Sequence, residues 1–133
     1  MILIKSHYSR EETEKCQAKD FRGLADLLIN QIGKLLKDKF RGSDIACRYG
    51  GEEFLVILPE SSLGDTVKRA DTLREEVKSM EIVSQGQTLG SITVSMGIAS
   101  YPDNGTKMEE LLRVADTALY KAKQEGRDRV VSG

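Results

Sequence analysis

Two adjacent glycines followed by two adjacent carboxylates form the segment of this chain that is best suited to chemistry. Residues 50–53 read Gly-Gly-Glu-Glu and lie between two strand-like runs over residues 44–49 and 55–58. Because a Gly-Gly pair can take the positive φ angles of a tight hairpin, we predict a hairpin that turns at the two glycines, with Glu52 and Glu53 just past it. A phosphate can approach such a bare turn closely, and a neighbouring carboxylate suits a divalent metal that carries a nucleoside triphosphate.

The elements that would hold this hairpin follow from the spacing of apolar residues. Helical spacing on one face predicts three helices, over residues 24–36, 63–80 and 108–122. Residues 41–43 end the first helix and Gly126 ends the third. Alternation and short apolar runs predict three strands besides the hairpin, over residues 92–98, 1–4 and 129–131. The polar residues 9–20 form a solvated helix or a loop.

The order of these elements indicates the fold class. Along the chain it is β-α-β-β-α-β, followed by a helix and a short strand. This is the split βαβ arrangement of an α+β, ferredoxin-like domain, in which an antiparallel sheet carries helices on one face. With 133 residues the chain is long enough to bury a core, and we predict one domain over residues 1–133.

Composition excludes several classes of partner. Lys and Arg number 20 against 21 Asp and Glu, a net charge of −1, so no basic field favours nucleic acid. No apolar run is long enough to span a membrane, and no signal-like segment opens the chain. Cys16 and Cys47 lack metal-site spacing and are too few for a disulfide framework, and Cys47 is expected in the core. We therefore predict a cytoplasmic protein without a nucleic-acid or membrane partner.

Four separated motifs resemble one known family. The run Arg48-Tyr-Gly-Gly-Glu-Glu-Phe54 looks like the signature hairpin of the GGDEF domains, the diguanylate cyclases. Ser95-Met-Gly-Ile-Ala99, the run over residues 115–123 and Gly126-Arg127 also match, in the family's order. The resemblance covers residues 24–131, whereas residues 1–23 are atypical, and it implies a palm-like version of the predicted fold.

The resemblance implies specific roles for residues around the hairpin. Glu52 would be a ligand of the catalytic Mg²⁺, and Glu53 would assist deprotonation of the attacking ribose hydroxyl. The nucleotide-binding residues it implies are Gly50, Gly51, Lys123 and Arg127. A lysine and an arginine four residues apart can face one way from a helix end, and two cations suit a polyphosphate. The alternative is a pair of exposed hairpin acids without a task, with cations that complement the helix dipole by ~0.3–1 kcal/mol.

An arginine and an aspartate upstream of the hairpin resemble a second family feature. Arg41 and Asp44 match the Arg-x-x-Asp inhibitory site, which binds the product, cyclic di-GMP. A guanidinium and a carboxylate together can address a guanine base and a phosphate. The alternative is a loop arginine and a strand acid without that role. The family commonly has a further arginine that supports the site, and this chain has Thr72 at that position. Three nearby basic residues could take its place: Lys68, Arg69 and Arg74.

The first part of the chain departs from the family pattern. Active members carry Asp-x-Asp-x-Phe-Lys at the end of the first strand, then Asn-Asp and Gly-His-x-x-Gly-Asp. Here residues 4–9 read Ile-Lys-Ser-His-Tyr-Ser, and residues 20–25 do not reproduce the later pattern. One metal-binding aspartate and the residues that bind the guanine base are therefore missing from the alignment. Mg²⁺ often uses only one or two carboxylates plus substrate phosphates, so metal–nucleotide binding is still compatible with Glu52 alone.

Three hypotheses for function follow. The first is a GGDEF signalling domain of cyclic di-GMP metabolism that binds cyclic di-GMP or GTP but is impaired as a cyclase. The second is an active cyclase that condenses two GTP to cyclic di-GMP as a homodimer, since each family domain supplies half of the active site. The third is a dimerisation or interaction module that binds no nucleotide. The resemblance also implies an upstream sensor or receiver domain that is not in this chain.

Overall fold

The structure, a computed structural model, describes residues 2–7, 18–80, 82–84, 87–89 and 92–133. Seven strands and three helices follow one another along this part of the chain. Their bounds are β1 (Ile2–His7), α1 (Ala18–Lys39), β2 (Ile45–Gly50), β3 (Glu53–Ile57), α2 (Leu63–Ser79), β4 (Ile82–Ser84), β5 (Gln87–Leu89), β6 (Thr93–Ile98), α3 (Met108–Gln124) and β7 (Val130–Ser132). No helix in these ranges is both long enough and apolar enough to cross a membrane.

Five strands form the main sheet in the order β2-β3-β1-β6-β7. Strand β1 is central and pairs antiparallel with both β3 and β6, and β2 pairs antiparallel with β3. Strand β7 pairs parallel with β6, so the sheet is mixed at this edge. The arrangement confirms the predicted α+β fold with a split βαβ core, a C-terminal helix and a short last strand.

The helices lie on both faces of this sheet. Val94, Met96 and Ile98 of β6 are fully buried on one face, in a core shared with Ile32 of α1 and Leu73 of α2. The two helices of the split βαβ unit therefore share one face, as predicted. The third helix follows that unit in the chain and packs on the opposite face.

That opposite face has a core of its own, built around the middle of α3. Leu55 of β3 and Ala115 and Leu119 of α3 are buried there. Gly97 of β6 lies directly under the helix, and a Cβ atom at this position would collide with the backbone of Ala115 and Leu119. Glycine is required here because helix backbone and strand backbone approach too closely for any side chain.

Several sequence predictions differ from the structure. Helix α1 begins at Ala18, six residues before Leu24, and residues 9–17 of the polar segment lie outside the described residues. The two-stranded sheet of β4 and β5 was not predicted, because strands of three residues are too short to show a period. Cys47 is exposed rather than buried in the core, because β2 is the edge strand of the sheet. The assignment of residues 1–133 to one domain stays a prediction.

Candidate functional site

The acidic hairpin is formed by β2 and β3, as predicted, but its turn is displaced by one residue. Gly50 pairs with Glu53, so the two loop residues are Gly51 and Glu52. Only Gly51 of the two glycines has a positive φ, of 23°. The register of the hairpin shifts between Arg48 and Gly50. The prediction of a Gly50–Gly51 turn is therefore wrong, and Glu52 lies within the turn itself.

Arg48 fixes the backbone of this turn. Its guanidinium donates two hydrogen bonds to the carbonyl oxygen of Gly51, from Nε at 3.1 Å and from Nη2 at 2.8 Å. Two donors on one carbonyl hold the peptide that joins Gly51 to Glu52 in one orientation. The position of the first carboxylate thus depends on a side chain of the preceding strand.

The two carboxylates are both partly buried and belong to different local structures. Glu52 is in the turn, whereas Glu53 is the first residue of β3 and stands opposite Lys5 of β1 in the strand register. Within the described ranges, no three His, Cys, Asp or Glu residues form a group that could hold a metal ion. Mg²⁺ commonly uses one or two carboxylates with substrate phosphates, so this donor set fits a magnesium ion that arrives with its nucleotide.

The two predicted phosphate-binding cations follow each other at the end of α3. Lys123 is partly buried in the last turn of the helix. Arg127 lies beyond Gln124, the last helical residue, in a turn with φ of 63°. The spacing predicted that both cations face one way from a helix end, and Arg127 lies in the turn directly beyond that end. The hydrogen bond from the Arg127 amide to the carbonyl of Ala122, 2.9 Å, keeps this turn against the helix end.

The hairpin acids and Arg127 lie at the same end of the main sheet. Strand β3 begins at Glu53, and β7 begins three residues after Arg127. Because β6 and β7 run parallel to each other and β1 runs antiparallel to β3 and β6, the starts of β3, β6 and β7 share one end. Three strand spacings separate β3 from β7, or about 14 Å. At this end of the sheet, carboxylates therefore lie beside β3 and a cation lies beside β7.

An open groove of about 370 Å³ lies between α1 and β2, next to the hairpin. Its polar lining includes Asn30, Lys34 and Lys37 of α1 and Arg48 of β2. The residues of α1 in this set are spaced by three and four, so they share one helix face. This spacing is visible in the sequence, but the groove was not predicted, because nothing in the sequence shows which strand the face meets.

The predicted inhibitory site contains an ion pair within the chain. The carboxylate of Asp44, only 14% exposed, accepts a hydrogen bond of 2.8 Å from Nη2 of Arg69 on α2. The guanidinium of Arg69 also lies over the ring of Phe40, 5.0 Å from its centre. Arg41 is exposed, and its Nε donates to the carbonyl of Asp38 at 3.0 Å. Arg41 and Asp44 are joined by a backbone hydrogen bond of 3.3 Å.

The structure distinguishes the three basic residues that could replace an arginine at Thr72. Arg69 contacts Asp44 directly. Arg74 bonds three other carboxylates, and Lys68 lines the same groove of about 220 Å³ as Arg69 and Thr72. Of the three, Arg69 is the one that forms an ion pair with Asp44 in the described part of the chain, 2.8 Å long.

Asp128, directly after Arg127, is held by two cations of α2. Nη1 of Arg74 and Nζ of Lys78 each donate to it at 2.7 Å. Burial disfavours its charged form, but the hydrogen bonds and charges of Lys78 and Arg74 outweigh burial and lower the pKa of Asp128. Burial likewise opposes a rise in the pKa of Arg74, and its hydrogen bonds to Asp128, Asp71 and Glu75 outweigh it.

Comparison with known proteins identifies the class of this domain. The sequence model of the family described as "Diguanylate cyclase, GGDEF domain" matches residues 21–129. The chain therefore belongs to the GGDEF family of cyclic di-GMP metabolism.

Its relatives include named cyclases and a regulator. Diguanylate cyclase A of Treponema denticola is 35% identical over 105 residues, which are 79% of this chain and 28% of that protein. Response regulator PleD of Caulobacter vibrioides is 35% identical over 109 residues, 81% of this chain and 24% of PleD. The uncharacterized protein YhcK of Bacillus subtilis is 41% identical over 105 residues, 79% of this chain and 29% of YhcK. The chain thus spans between 24% and 29% of the length of these three relatives.

Solved GGDEF domains share the fold over nearly the whole chain. The GGDEF domain of YfiN from Pseudomonas aeruginosa superposes with a TM-score of 0.86 and 28% identity, covering 99% of this chain and 80% of that one. The GGDEF domain of DgcB from Caulobacter crescentus, solved with cyclic di-GMP, gives a TM-score of 0.84 and 26% identity, covering 98% and 75%. These neighbours confirm the fold.

Proposed function

We propose that this chain is a GGDEF signalling domain that binds a guanine nucleotide, either cyclic di-GMP or GTP, and is impaired as a cyclase. The observation that carries the proposal is the common position of the acidic hairpin and Arg127 at one end of the sheet. A triphosphate with its metal needs carboxylate oxygens on one side and cations on the other. About 14 Å between β3 and β7 leaves room for long side chains to reach such a ligand from both sides.

Each residue of this end has a distinct task in the proposal. Glu52 would supply a carboxylate oxygen to Mg²⁺, and Lys123 and Arg127 would offset negative charge of the triphosphate. Mg²⁺, when bound, supplies positive charge beside the phosphate oxygens. Glu53 stands at the start of β3, where it would take the proton of the attacking ribose hydroxyl in a competent enzyme. Gly50 and Gly51 leave the hairpin without side chains, so that the phosphates can come close to its backbone.

The sequence of β1 supports the proposal that cyclase activity is impaired. Residues 2–7 contain no Asp or Glu, and a lysine takes the register position opposite Glu53. A second carboxylate that would hold a metal next to Glu52 is therefore missing from β1. In-line attack requires close positioning, and misplacement by about 1 Å can cost on the order of 10²-fold in rate. In this proposal Lys123 and Arg127 bind the phosphates, whereas β1 supplies no carboxylate that would help to align the reaction.

Cyclic di-GMP is assigned to the site of Arg41, Asp44 and Arg69. Two arginines and one carboxylate give this site a net positive charge, which suits a ligand with two phosphates. The carboxylate can accept hydrogen bonds from a guanine edge, and the exposed Arg41 can reach the ligand. The domain of DgcB was solved with cyclic di-GMP, which supports the assignment of this ligand class.

An active cyclase is the second candidate function. It is favoured by Glu53, which is present at the start of β3, and by the 35% identity to a protein named diguanylate cyclase A. This function requires a homodimer, because each domain of the family supplies half of the active site. In either case we propose a cytoplasmic protein with an upstream sensor or receiver domain, since the chain matches about a quarter of a protein named a response regulator.

Calorimetric titration of the whole chain tests the proposal. One titration uses cyclic di-GMP, and a second uses GTP with Mg²⁺, followed by chromatography of the GTP sample to detect product. Binding of either nucleotide without product is the expected result. Formation of cyclic di-GMP would establish the active cyclase instead. No heat with either ligand would overturn nucleotide binding and leave an interaction module.

A further inference from the structure

The turn between α3 and β7 has an unusual backbone. Gly126, Arg127 and Asp128 have φ angles of 116°, 63° and 47°, three positive values in succession. Residues other than glycine rarely take positive φ, and they keep it where surrounding contacts determine the conformation. Arg127 and Asp128 are two such residues side by side, so contacts outside the turn must hold them.

One set of contacts fixes the backbone of Arg127. Its amide donates to the carbonyl of Ala122 at 2.9 Å, and its own carbonyl accepts a hydrogen bond of 3.0 Å from Nε of Arg129. Both polar backbone groups of Arg127 are therefore engaged, and its side chain is exposed at the end of the sheet.

A second set of contacts ties Asp128 to α2. One carboxylate oxygen accepts from Nη1 of Arg74 and the other from Nζ of Lys78, each at 2.7 Å. The Arg74 side chain is only 13% exposed, and Nε and Nη2 of the same guanidinium are held by Asp71 and Glu75. The ion pairs with Asp71 and Glu75 therefore hold the guanidinium of Arg74 in place independently of Asp128. Anchoring Asp128 to α2 holds the adjacent backbone in place, and it thereby fixes the direction in which the Cα–Cβ bond of Arg127 leaves the turn.

We infer that Asp128, held by Arg74 and Lys78, is a positioning residue that aims Arg127 at the nucleotide triphosphate. This inference rests on the proposed function, in which Arg127 contacts the triphosphate. The two cations of α2 have a second effect, because they neutralise a carboxylate that would otherwise repel the phosphates beside Arg127. The affinity for Mg²⁺–GTP therefore depends on residues of α2 that do not touch the ligand.

A double-mutant cycle tests the inference. The dissociation constant of Mg²⁺–GTP is measured by displacement of a fluorescent GTP analogue from the whole chain, and urea unfolding of each variant reports folding. Asp128→Ala should weaken binding about three- to tenfold, the range expected for groups that act through a neighbour. In an Arg127→Ala background the same change should alter binding by less than about twofold, because its target is gone.

Two further variants separate positioning from stability. Lys78→Ala leaves Arg74 on Asp128, so it should give a smaller loss of affinity than Asp128→Ala and a folded protein. Glu76→Ala is the matched control: it removes the 2.9 Å ion pair between α2 and Lys39, and it should leave the affinity for Mg²⁺–GTP unchanged.

The outcomes distinguish this inference from the proposed function. If the original chain binds Mg²⁺–GTP and Asp128→Ala binds equally well, positioning by Asp128 is refuted while the proposed function stands. An equal loss in both backgrounds would also refute it, since Asp128 would then act on the fold and not through Arg127. If the original chain binds no GTP at all, triphosphate binding fails and the positioning role fails with it.

Discussion

Arg69 and Asp44 form a hydrogen-bonded ion pair of 2.8 Å that joins the middle of α2 to the segment preceding β2. Twenty-five residues separate them in the chain. The pair leaves one oxygen of Asp44 and several donors of Arg69 for a ligand. It also lies at the far end of β2 from the acidic hairpin, roughly 20 Å away at about 3.3 Å per residue. The two proposed nucleotide sites are therefore separate.

Removal of Arg69 should weaken binding of cyclic di-GMP. Arg69→Ala takes away a phosphate-binding cation and leaves the carboxylate of Asp44 unpaired beside an anionic ligand, so we expect a loss of tenfold or more, about 1.5–3 kcal/mol. The double variant Arg41→Ala with Asp44→Ala should abolish binding. Calorimetry with cyclic di-GMP measures both, and Lys121→Ala serves as a surface control on α3. Unchanged affinity in the double variant would show that cyclic di-GMP does not bind here.

Restoration of the family's missing arginine should have the opposite effect. Thr72 is exposed on α2, one helical turn after Arg69, so Thr72→Arg can be accommodated without repacking. A new charge-assisted hydrogen bond to a phosphate, reduced by the entropy of ordering the side chain, should tighten cyclic di-GMP binding about three- to tenfold. The same titration tests this. A weaker complex would indicate that Arg69 already occupies the position the new side chain needs.

The fold could be predicted where burial of one face makes apolar residues recur at regular spacing in the sequence. Strand β6 has apolar residues at 94, 96 and 98 because that face meets α1 and α2, and the alternation revealed it. The opposite face was not predicted, since Gly97 is required by α3, which packs across it. The exposure of Cys47 was missed because an apolar sequence does not reveal that its strand lies at the sheet edge.

The hairpin acids should separate metal binding from chemistry. Glu52→Gln keeps the shape of the side chain but removes its charge, so Mg²⁺-dependent binding of GTP should weaken about tenfold or more. Glu53→Gln is the matched change at the next residue and should leave binding within about twofold, because its proposed task is proton transfer. Titrations with GTP are run with Mg²⁺ and again with EDTA. If Glu52→Gln and Glu53→Gln weaken the binding of GTP equally, the two carboxylates do not have separate roles in metal binding and proton transfer.

The candidate sites were only partly predictable, because some of their contacts join residues that are far apart in the sequence. The hairpin, Arg41 and Asp44 are local motifs that the sequence shows directly, although the turn of the hairpin lies one residue further along the chain than predicted. The contact of Arg74 with Asp128 spans 54 residues, and no local pattern reports it. The predicted stop at Gly126 agrees with the structure, in which the helix ends at Gln124 and positive φ angles follow from Gly126 onward.

The close approach of β6 and α3 gives a prediction for stability. Gly97→Ala would place a Cβ atom against the backbone of Ala115 and Leu119, which cannot move aside like a flexible side chain. We expect a loss of about 1–3 kcal/mol in the free energy of unfolding, measured with urea. Gly64→Ala is the control: its Cβ would meet no atom within 4 Å, and alanine in α2 should raise stability by up to about 1 kcal/mol.

The lowered pKa of Asp128 predicts a specific dependence of stability on pH. A carboxylate whose pKa is lower in the folded protein stabilises it above the pKa of the unfolded chain, about 3.9 for Asp. As the pH falls below this value and through the lowered pKa, the contribution is lost. The original chain should therefore be more stable than Asp128→Asn at pH 6, and the two should converge as the pH drops below about 3.9.

Urea unfolding of both proteins between pH 2.5 and 6, roughly the range in which carboxylates titrate, measures this difference. Glu110→Gln is an informative comparison, because backbone hydrogen bonds from Thr106 and Lys107 lower the pKa of that carboxylate without any cation of α2. Added salt should reduce the difference for Asp128→Asn more than for Glu110→Gln, because ion pairs are screened by salt. A difference for Asp128 that persists unchanged at the lowest pH would mean that Arg74 and Lys78 do not stabilise its charge.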